Sequence, residues 1–352
     1  MTSDSDTKET EHISKREPAS PDAVLMQLLF GKQIAYSLSA IARLGVADHM
    51  GPTPVSVDTL GERVQAHAPS LYRAMRLLAG AGVFEELTGK RFALTPVSEL
   101  LKTDAPNSLR FLAILWGEDF STRAMGQIVD CLRSGHDGVT PVFGKNLFEV
   151  FAEHPEWAQN FNRAMSNFSA SVAAAVLKAY DFSEIRRLAD VGGGHGMLLG
   201  SILKQYPSME GVLFDLPEVI AGAPSSNHLA GCGGRVQMEP GSFFERVPSG
   251  CDAYLLKHII HDWSDEHCRK ILGLIRDQLP AAGRVLVCEM VVPDEPGMVP
   301  SKALDIEMLV MTPGGKERTR AEFADLFASA GLRLVRVVPT DGPMCVLEAR
   351  PA

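Results

Sequence analysis

The 352-residue sequence has few cysteines, no long uncharged apolar run and no excess of basic residues. Its six cysteines contain no C-x-x-C pair, which argues against a zinc knot or a disulfide framework and fits a reducing compartment. No run of 18 apolar residues is free of charge, and the first 20 residues lack the apolar centre of a secretory signal. These absences predict a cytoplasmic protein with no membrane partner and a disordered tail over residues 1–20.

Basic residues are in the minority, since 34 Lys and Arg stand against 43 Asp and Glu, a formal net charge of -9. This balance does not favour a nucleic-acid partner, because binding to phosphates needs positive charge. Apolar residues make up 45% and charged residues 22%, which excludes a disordered, collagen-like or repeat-dominated chain. The chain is longer than one core usually organises, so we expect a main domain, a smaller partner domain and a small-molecule ligand.

The N-terminal third has a helical pattern. Residues 24–46 are apolar on nearly every face and predict a helix buried either in a core or, as we prefer, between two subunits. Residues 55–87 follow as a helix-turn-helix pattern, and residues 89–101 as a hairpin and a helix, which predicts a winged helix. Winged helices often bind DNA, but residues 51–100 carry five acidic and five basic side chains, so we expect a dimerisation domain over residues 21–106.

From residue 188 onward, short apolar runs alternate with helical patterns. Such alternation predicts right-handed crossovers and a parallel sheet with helices on both faces. The last two apolar runs are separated only by turn residues, so they must pair as an antiparallel hairpin. We therefore expect an α/β Rossmann-like domain over residues 181–352, with a mostly parallel sheet and a C-terminal antiparallel hairpin. A helical segment over residues 107–180 is expected to form the substrate pocket.

A glycine cluster, DVGGGHG, directly follows the first strand of this domain. Glycine lets the chain turn sharply and lets a ligand approach the amide groups at the positive end of a helix. Asp215 ends the next strand, where an acid is placed to bond the hydroxyls of a ribose. A dinucleotide fingerprint would need glycine where Met197 stands, but these residues alone leave NAD and S-adenosylmethionine both open.

A histidine, His261, follows the strand DAYLLK at the sheet edge where ligands bind in open α/β folds. Glu289 and Glu317 are predicted near the same edge. A carboxylate beside one imidazole nitrogen fixes the tautomer and leaves the other nitrogen free as a base. The alternative is that the two glutamates pair with neighbouring cations such as Lys316 and Arg318.

A metal site is the alternative for the segment HIIHDWSDEHC. It would be formed by the polar residues His258, His261, Asp262, His267 and Cys268. Ser264 is a good N-cap for a helix that would carry the last two away from the others, so we expect no metal.

Five motifs occur in order along the chain: DVGGGHG, FDLP, KHIIHDWSDEHC, VCEMVVP and GGKERT. With them, the chain from about residue 22 resembles the S-adenosylmethionine-dependent O-methyltransferases of the plant caffeic acid, hydroxyindole and bacterial antibiotic-tailoring type. The resemblance implies a homodimer formed through an N-terminal winged-helix domain, methyl transfer to a small aromatic secondary metabolite, and S-adenosylhomocysteine as product. It implies that His261 is the general base, flanked by Glu289 and Glu317. It further implies cofactor contacts for Met165, Ser169, Gly192, Gly193, Gly194, Gly196, Asp215, Leu216, Ser242, Phe243 and Lys257, and acceptor contacts for Trp116, Met308 and Thr312.

Two residues depart from the plant members of this family. Ser242 stands where they have an acid, which makes an adenine contact there uncharged, and Thr312 stands where phenylpropanoid enzymes carry asparagine.

Proton transfer from a phenol to an ordinary imidazole is uphill by roughly 5 kcal/mol, which is less than the roughly 7 to 11 kcal/mol that alignment of donor and acceptor supplies. An aliphatic alcohol is out of reach, so we expect a phenolic or enolic acceptor.

Three other functions fit parts of the sequence. The same fold could use S-adenosylmethionine for decarboxylation, hydroxylation or a pericyclic reaction, but the set of His261, Glu289 and Glu317 argues for methylation. A cofactor-sensing regulator that binds DNA is disfavoured by the neutral charge of residues 51–100. An NAD oxidoreductase is the weakest alternative, because Met197 breaks the fingerprint.

Overall fold

The computed structural model describes residues 20–105 and 107–352. The predicted disordered tail lies outside the described residues, apart from Ser20. The described chain begins with helices and ends in a half that is built around one large sheet. Both halves follow the order of elements that the sequence patterns predict.

The chain opens with two helices where the sequence predicted one, α1 (Pro21–Leu29) and α2 (Gly31–Leu44). Phe30 lies between them and keeps helical backbone angles, while Gly31, a residue of poor helix propensity, begins α2. Ser20 occupies the N-cap position of α1, but its side chain makes no capping hydrogen bond. The helix predicted over residues 24–46 is therefore interrupted at Phe30 and ends at Leu44, because Gly45 takes the left-handed conformation that ends a helix.

A helix pair and a hairpin follow, as the sequence predicted. The elements are β1 (Val55–Ser56), α3 (Val57–Arg63), α4 (Ala68–Gly80), β2 (Phe84–Leu87), β3 (Arg91–Leu94) and α5 (Pro96–Glu99). Strand β3 pairs antiparallel with both β1 and β2. Its residue Phe92 is fully buried in the core of this part, together with Leu60 and Met75.

The middle of the chain is helical. It contains α6 (Arg110–Leu115), α7 (Asp119–Met125), α8 (Ile128–Ser134), α9 (Val139–Phe143), α10 (Leu147–Glu153) and α11 (Pro155–Ala179). Gly135 and Gly144 end α8 and α9 in the left-handed conformation, in the two loops that the sequence predicted. The long helix α11 packs on α6 and on the first helix of the C-terminal half, and so connects the two halves.

The C-terminal half is a mixed sheet. Its strands are β4 (Arg187–Val191), β5 (Glu210–Asp215), β6 (Val236–Pro240), β7 (Ala253–Lys257), β8 (Arg284–Val292), β9 (Arg318–Thr319), β10 (Leu332–Pro339) and β11 (Met344–Pro351). They are ordered β10-β11-β8-β7-β4-β5-β6, and the short β9 pairs with the end of β8. Strands β4 to β9 are parallel, and β10 and β11 form an antiparallel hairpin against β8. The predicted sheet is confirmed.

Helices cover both faces of this sheet. They are α12 (Met197–Gln205), α13 (Pro217–Gly222), α14 (Asp265–Gln278), α15 (Pro300–Met311) and α16 (Arg320–Ser329). Neighbouring residues of one strand enter opposite cores, as Leu188 and Ala189 do in β4. Because β4, β5, β7 and β8 are parallel neighbours, their carboxyl ends meet at one edge, where the candidate residues of the sequence lie.

The first two helices expose an apolar surface. Leu25, Leu28 and Leu29 of α1 are each more than half exposed in the single chain. Within the described residues, the stretch Pro21–Leu44 is the one helical segment long and apolar enough to cross a membrane, with a mean hydropathy of 1.2. Length and composition alone are weak evidence, because a helix that is buried between subunits passes the same test.

Candidate active site

The glycine loop between β4 and α12 needs glycine for two different reasons. Gly192, Gly194 and Gly196 have φ of 69°, 59° and 81°, in the left-handed region. A Cβ atom on Gly192 would also lie 2.4 Å from Cδ1 of Ile259, whereas one on Gly194 would meet no atom within 4 Å. Gly192 is therefore required by packing, and Gly194 leaves the backbone open to a ligand.

Asp215 ends β5 beside this loop, as the sequence predicted. Its Oδ2 accepts a hydrogen bond from the amide of Gly194 at 2.8 Å, and its Oδ1 accepts one from the amide of Leu216 at 2.7 Å. Burial raises the pKa of this carboxyl, and the two amides oppose the shift. The carboxylate is thus fixed against the open part of the glycine loop.

A buried acid and a lysine lie under the loop. Asp190 of β4 is 2% exposed, and burial raises its pKa to about 7. Lys257 ends the neighbouring strand β7, and burial lowers its pKa while the charge of Asp190 opposes the shift. Among residues 20–105 and 107–352, no group hydrogen-bonds Oδ2 of Asp190. Oδ2 of Asp190 is therefore a hydrogen-bond acceptor that is left for a ligand of the glycine loop.

The wall on the side of β6 is aromatic. A Cβ on Gly192 would lie 3.4 Å from Cε1 of Phe243, so this ring borders the glycine loop. Phe243 also makes edge contacts with Phe244 and with Trp263, at centroid distances of 4.9 and 6.2 Å. The hydroxyl of Ser242 accepts a hydrogen bond from the amide of Phe244, so it already stabilises its own turn.

His261 lies in a short 3-10 turn, Ile260–Asp262, that follows β7. The ring is 7% exposed, and its Nδ1 donates to Oε1 of Glu317 at 2.7 Å. Its Nε2 lies 3.5 Å from Oδ1 of Asp262. Burial alone would lower the pKa of His261, but Asp262, the hydrogen bond to Glu317 and the charge of Glu289 outweigh burial and raise the pKa to about 9.

Glu289 makes its hydrogen bonds to the backbone of this turn and acts on the ring of His261 through its charge. Its Oε1 accepts hydrogen bonds from the amides of Ile259, Ile260 and His261, at 3.2, 2.6 and 3.1 Å. The carboxyl is fully buried, and burial raises its pKa to about 7. Both predicted carboxylates therefore lie beside His261, but only Glu317 hydrogen-bonds its ring.

The cations that neighbour Glu317 in sequence form no ion pair with either glutamate, although the charge of Arg318 opposes the rise in the pKa of Glu289. Lys316 and Arg318 both pair with Asp265 at the start of α14, at 2.9 and 2.8 Å. Arg318 is fully buried and reaches the turn that carries His261, a contact that sequence reasoning did not predict. Its only sequence signal is its place directly after Glu317, because the pairing of β9 with β8 is long-range.

An open groove of about 580 Å³ lies between α11 and His195 of the glycine loop. The lining residues from α11 include Asn162, Arg163 and Ser166. Ser169 is 6% exposed on the same helix, and Met165 packs partly into the helical core. Neither Met165 nor Ser169 is among the residues that line this groove, so their contact with the cofactor stays a prediction.

The expected acceptor residues are placed differently from one another. Met308 and Thr312 are buried at the end of α15, at 8% and 4% exposure. The hydroxyl of Thr312 donates to the carbonyl of Met308 and accepts from the amide of Gly315, so it is engaged in ending the helix. Trp116 follows α6 and is 53% exposed in the single chain. Its role as a pocket wall stays a prediction.

Of the side chains in the alternative metal site, His258 and Asp262 lie beside the ring of His261, whereas His267 and Cys268 lie on α14. The hydroxyl of Ser264 caps α14, and Cys268 is buried in the core that this helix covers. Within the described ranges, no three His, Cys, Asp or Glu side chains are grouped so that they could hold a metal ion.

Comparison with known proteins gives the family. A profile described as the O-methyltransferase domain matches residues 126–333, and one described as the O-methyltransferase dimerisation domain matches residues 26–104. Phenazine O-methyltransferase of Lysobacter antibioticus is 38% identical over 329 residues, covering 94% of this chain and 96% of that protein. O-demethylpuromycin-O-methyltransferase of Streptomyces alboniger is 33% identical and covers 97% of this chain and 93% of its own.

Solved structures agree with this comparison. Human N-acetylserotonin methyltransferase, in complex with S-adenosylmethionine, superposes with a TM-score of 0.86 at 26% identity, over 96% of this chain and 99% of that one. Domain profiles, relatives and fold thus point the same way. The chain belongs to the O-methyltransferase family and is an S-adenosylmethionine-dependent O-methyltransferase with an N-terminal dimerisation domain.

Proposed function

We propose that the protein transfers a methyl group from S-adenosylmethionine to a phenolic or enolic hydroxyl of a small aromatic acceptor, with His261 as general base. The observation that carries this proposal is the buried hydrogen bond from Nδ1 of His261 to Glu317, at 2.7 Å. It holds the ring in one orientation, so Nε2, which lies 3.5 Å from Oδ1 of Asp262, is the nitrogen that would receive the proton of the acceptor.

The crevice fits an adenosyl cofactor. Gly194 offers an open backbone, Asp215 is fixed beside it at the end of β5, and Oδ2 of Asp190 is a buried acceptor with no partner among the described residues. Asp215 would hold the ribose hydroxyls, and Phe243 would border the base. When bound, S-adenosylmethionine supplies a methyl group already activated on a sulfonium.

The raised pKa of His261 suits a phenolic acceptor. A phenol has a pKa near 10, so transfer of its proton to an imidazole of pKa about 9 is uphill by only about 1.4 kcal/mol. Transfer to an ordinary imidazole would cost roughly 5 kcal/mol. The carboxylates around His261 therefore make it a stronger base, at the cost that most of it is protonated at neutral pH.

That protonation predicts the pH dependence of the reaction. The pKa of His261 is raised, so the neutral base is scarce at pH 7, and we expect kcat/KM for the acceptor to rise about tenfold per pH unit towards pH 9. Glu317→Gln removes a carboxylate that raises this pKa, so the rise of kcat/KM with pH should occur at lower pH in this variant. Initial rates at saturating cofactor between pH 6 and 10 test both statements, and a wild-type rate that is constant from pH 6.5 to 9 would contradict them.

The names of relatives support an aromatic acceptor. One relative, 34% identical, is named 3-amino-4-hydroxybenzoate 4-O-methyltransferase. Another, 33% identical, is named 8-amino-8-demethylriboflavin N,N-dimethyltransferase, which makes an aromatic amine the second candidate acceptor.

Incubation with S-adenosylmethionine and a panel of phenols, enols, aromatic amines and aliphatic alcohols tests the proposal by product mass. We expect a gain of one CH₂ unit on phenols or enols. Methylation of amines alone would favour the second candidate, and loss of carbon dioxide or gain of oxygen would identify a non-methylating reaction.

We also propose that the protein is a homodimer in which α1 and α2 are covered by a second copy. Leu28 is 70% exposed in the single chain, within the residues that match the dimerisation domain. Burial of such a side chain contributes about 1.5 to 3 kcal/mol, so Leu28→Asp should weaken the dimer at least about tenfold. Sedimentation over a dilution series measures this, and Met298→Asp, an 87% exposed position outside that domain, is the control. A wild-type chain that is monomeric throughout would refute the proposal.

A further inference from the structure

We propose that Arg318 is a positioning residue for methyl transfer, because its guanidinium holds the turn that carries His261 in register with Glu317. The inference rests on the proposed role of His261 as general base. Arg318 and Glu317 are neighbours in sequence, and they act on the same turn from different sides. Glu317 contacts the ring of His261, whereas Arg318 contacts the backbone on either side of it.

The guanidinium is a buried clamp across the turn. Nη1 donates to the carbonyl of Ile260 at 3.0 Å, and Nη2 donates to the carbonyl of Trp263 at 3.0 Å. These two carbonyls flank His261 and Asp262, so both residues are held between two fixed points. The side chain of Arg318 is 0% exposed, which makes its hydrogen bonds unavailable to water.

One carboxylate fixes the guanidinium from the outside. Oδ1 of Asp265 accepts from Nε at 3.0 Å and from Nη2 at 2.8 Å. The other oxygen of Asp265 pairs with the exposed side chain of Lys316 at 2.9 Å. Asp265 therefore neutralises the buried cation and sets the direction of its planar group.

The loop that brings Arg318 to this place is itself pressed against the turn. The amide of Lys316 donates to the carbonyl of His261 at 2.9 Å. The amide of Glu317 donates to Oδ1 of Asp305 in α15 at 2.8 Å. The backbone of the loop is thus fixed by these two hydrogen bonds. Arg318, the next residue, in turn holds the carbonyls of Ile260 and Trp263 in a fixed place relative to the loop.

Arginine is needed here for its shape as well as its charge. Its planar fork has five N–H donors, which reach two carbonyls and a carboxylate at the same time. A lysine at 318 would keep the positive charge, but its single ammonium could not span the carbonyls of residues 260 and 263. Arg318→Lys should therefore change the position of the turn while the charge of the site stays the same.

A loosened turn has a measurable electrostatic signature. Glu317, Glu289 and Asp262 act on the ring of His261 through their charges. The ring of His258 lies beside it, at a centroid distance of 4.9 Å. Lys257 and Arg318 act on two of these carboxyls, Asp262 and Glu289 respectively. The hydrogen bond to Glu317 and the nearby carboxylates raise the pKa of His261 against burial. If the turn moves away from Glu317 while all charges remain, the pKa of His261 should fall.

The experiment compares wild type, Arg318→Lys and Lys316→Met as full-length enzymes. For Arg318→Lys we expect kcat to fall about tenfold or more and the rising limb of its pH profile to move to lower pH. Affinity for S-adenosylmethionine should stay within about twofold, because Arg318 holds the carbonyls of Ile260 and Trp263 and makes no hydrogen bond to the glycine loop or to Asp215. Lys316→Met removes the other cation on Asp265 and should stay within about twofold of wild type in all three measurements.

A second variant guards against a folding defect in Arg318→Lys. Asp265→Asn loosens the guanidinium from the partly exposed side and should give a smaller change in the same direction, about threefold in kcat. Wild-type kcat and an unmoved limb in both folded variants would overturn the proposal. If His261→Gln retained full activity, the general-base function would fail instead, and the two failures are therefore distinct.

Discussion

Replacement of His261 by glutamine is expected to lower kcat about 10²-fold or more while the affinity for S-adenosylmethionine changes little. The ring is buried, its Nδ1 is bound to Glu317, and Nε2 is the nitrogen that would receive the proton, so glutamine removes the base and keeps a polar partner for Glu317. A 10²-fold loss corresponds to about 2.7 kcal/mol of transition-state stabilisation. Alignment of acceptor and donor should persist, so the residual rate should exceed that of the uncatalysed reaction.

The measurement is the single-turnover rate with a phenolic acceptor, together with cofactor affinity from calorimetry. His267→Gln is the matched control, because His267 is an exposed histidine in the first turn of α14 and its Nδ1 hydrogen-bonds the hydroxyl of the capping residue Ser264. It should keep nearly wild-type activity. A folded His261→Gln enzyme with wild-type turnover would remove His261 from the mechanism, whatever its contacts.

Local patterns were sufficient for the fold and for part of the site. The glycine loop, the end of β5 at Asp215 and the cap of α14 at Ser264 follow from residue types at short spacing, and the structure has all three. The C-terminal hairpin follows from two apolar runs joined by turn residues. In each case the determining interactions lie within a few residues of one another in sequence.

The remaining features depend on contacts between distant segments. The sequence places Glu289 at the edge of the sheet, but not on the amides of residues 259–261. It likewise gives no sign that Arg318 is buried, because that follows from the pairing of β9 with β8 and from the approach of α14. The ordinary pKa of an imidazole, 6.5, was also the wrong starting value for His261, since the surrounding carboxylates raise it to about 9.

Gly315→Ala is expected to lower kcat about 10²-fold although it removes no functional group. A Cβ on this residue would lie 2.4 Å from the carbonyl oxygen of His261 and 2.2 Å from Oγ1 of Thr312. Neither neighbour is the free end of a flexible side chain, because one is backbone and the other ends α15. The two loops must therefore separate, and the contact between Glu317 and His261 should be lost.

The comparison with Gly273→Ala decides whether the loss is local. Gly273 lies inside α14, where an added Cβ meets no atom within 4 Å, and alanine favours a helix over glycine by about 0.5 to 1 kcal/mol. That variant should be at least as stable as wild type and fully active. Gly315→Ala should lose about 1 to 3 kcal/mol of stability, as overpacked sites do, and should still bind S-adenosylmethionine. A Gly315→Ala enzyme with the wild-type turnover rate would show that His261 does not depend on the close contact between its turn and the loop of Gly315. If turnover falls while cofactor binding persists, the chemistry depends on where Glu317 and His261 are held as well as on which residues they are.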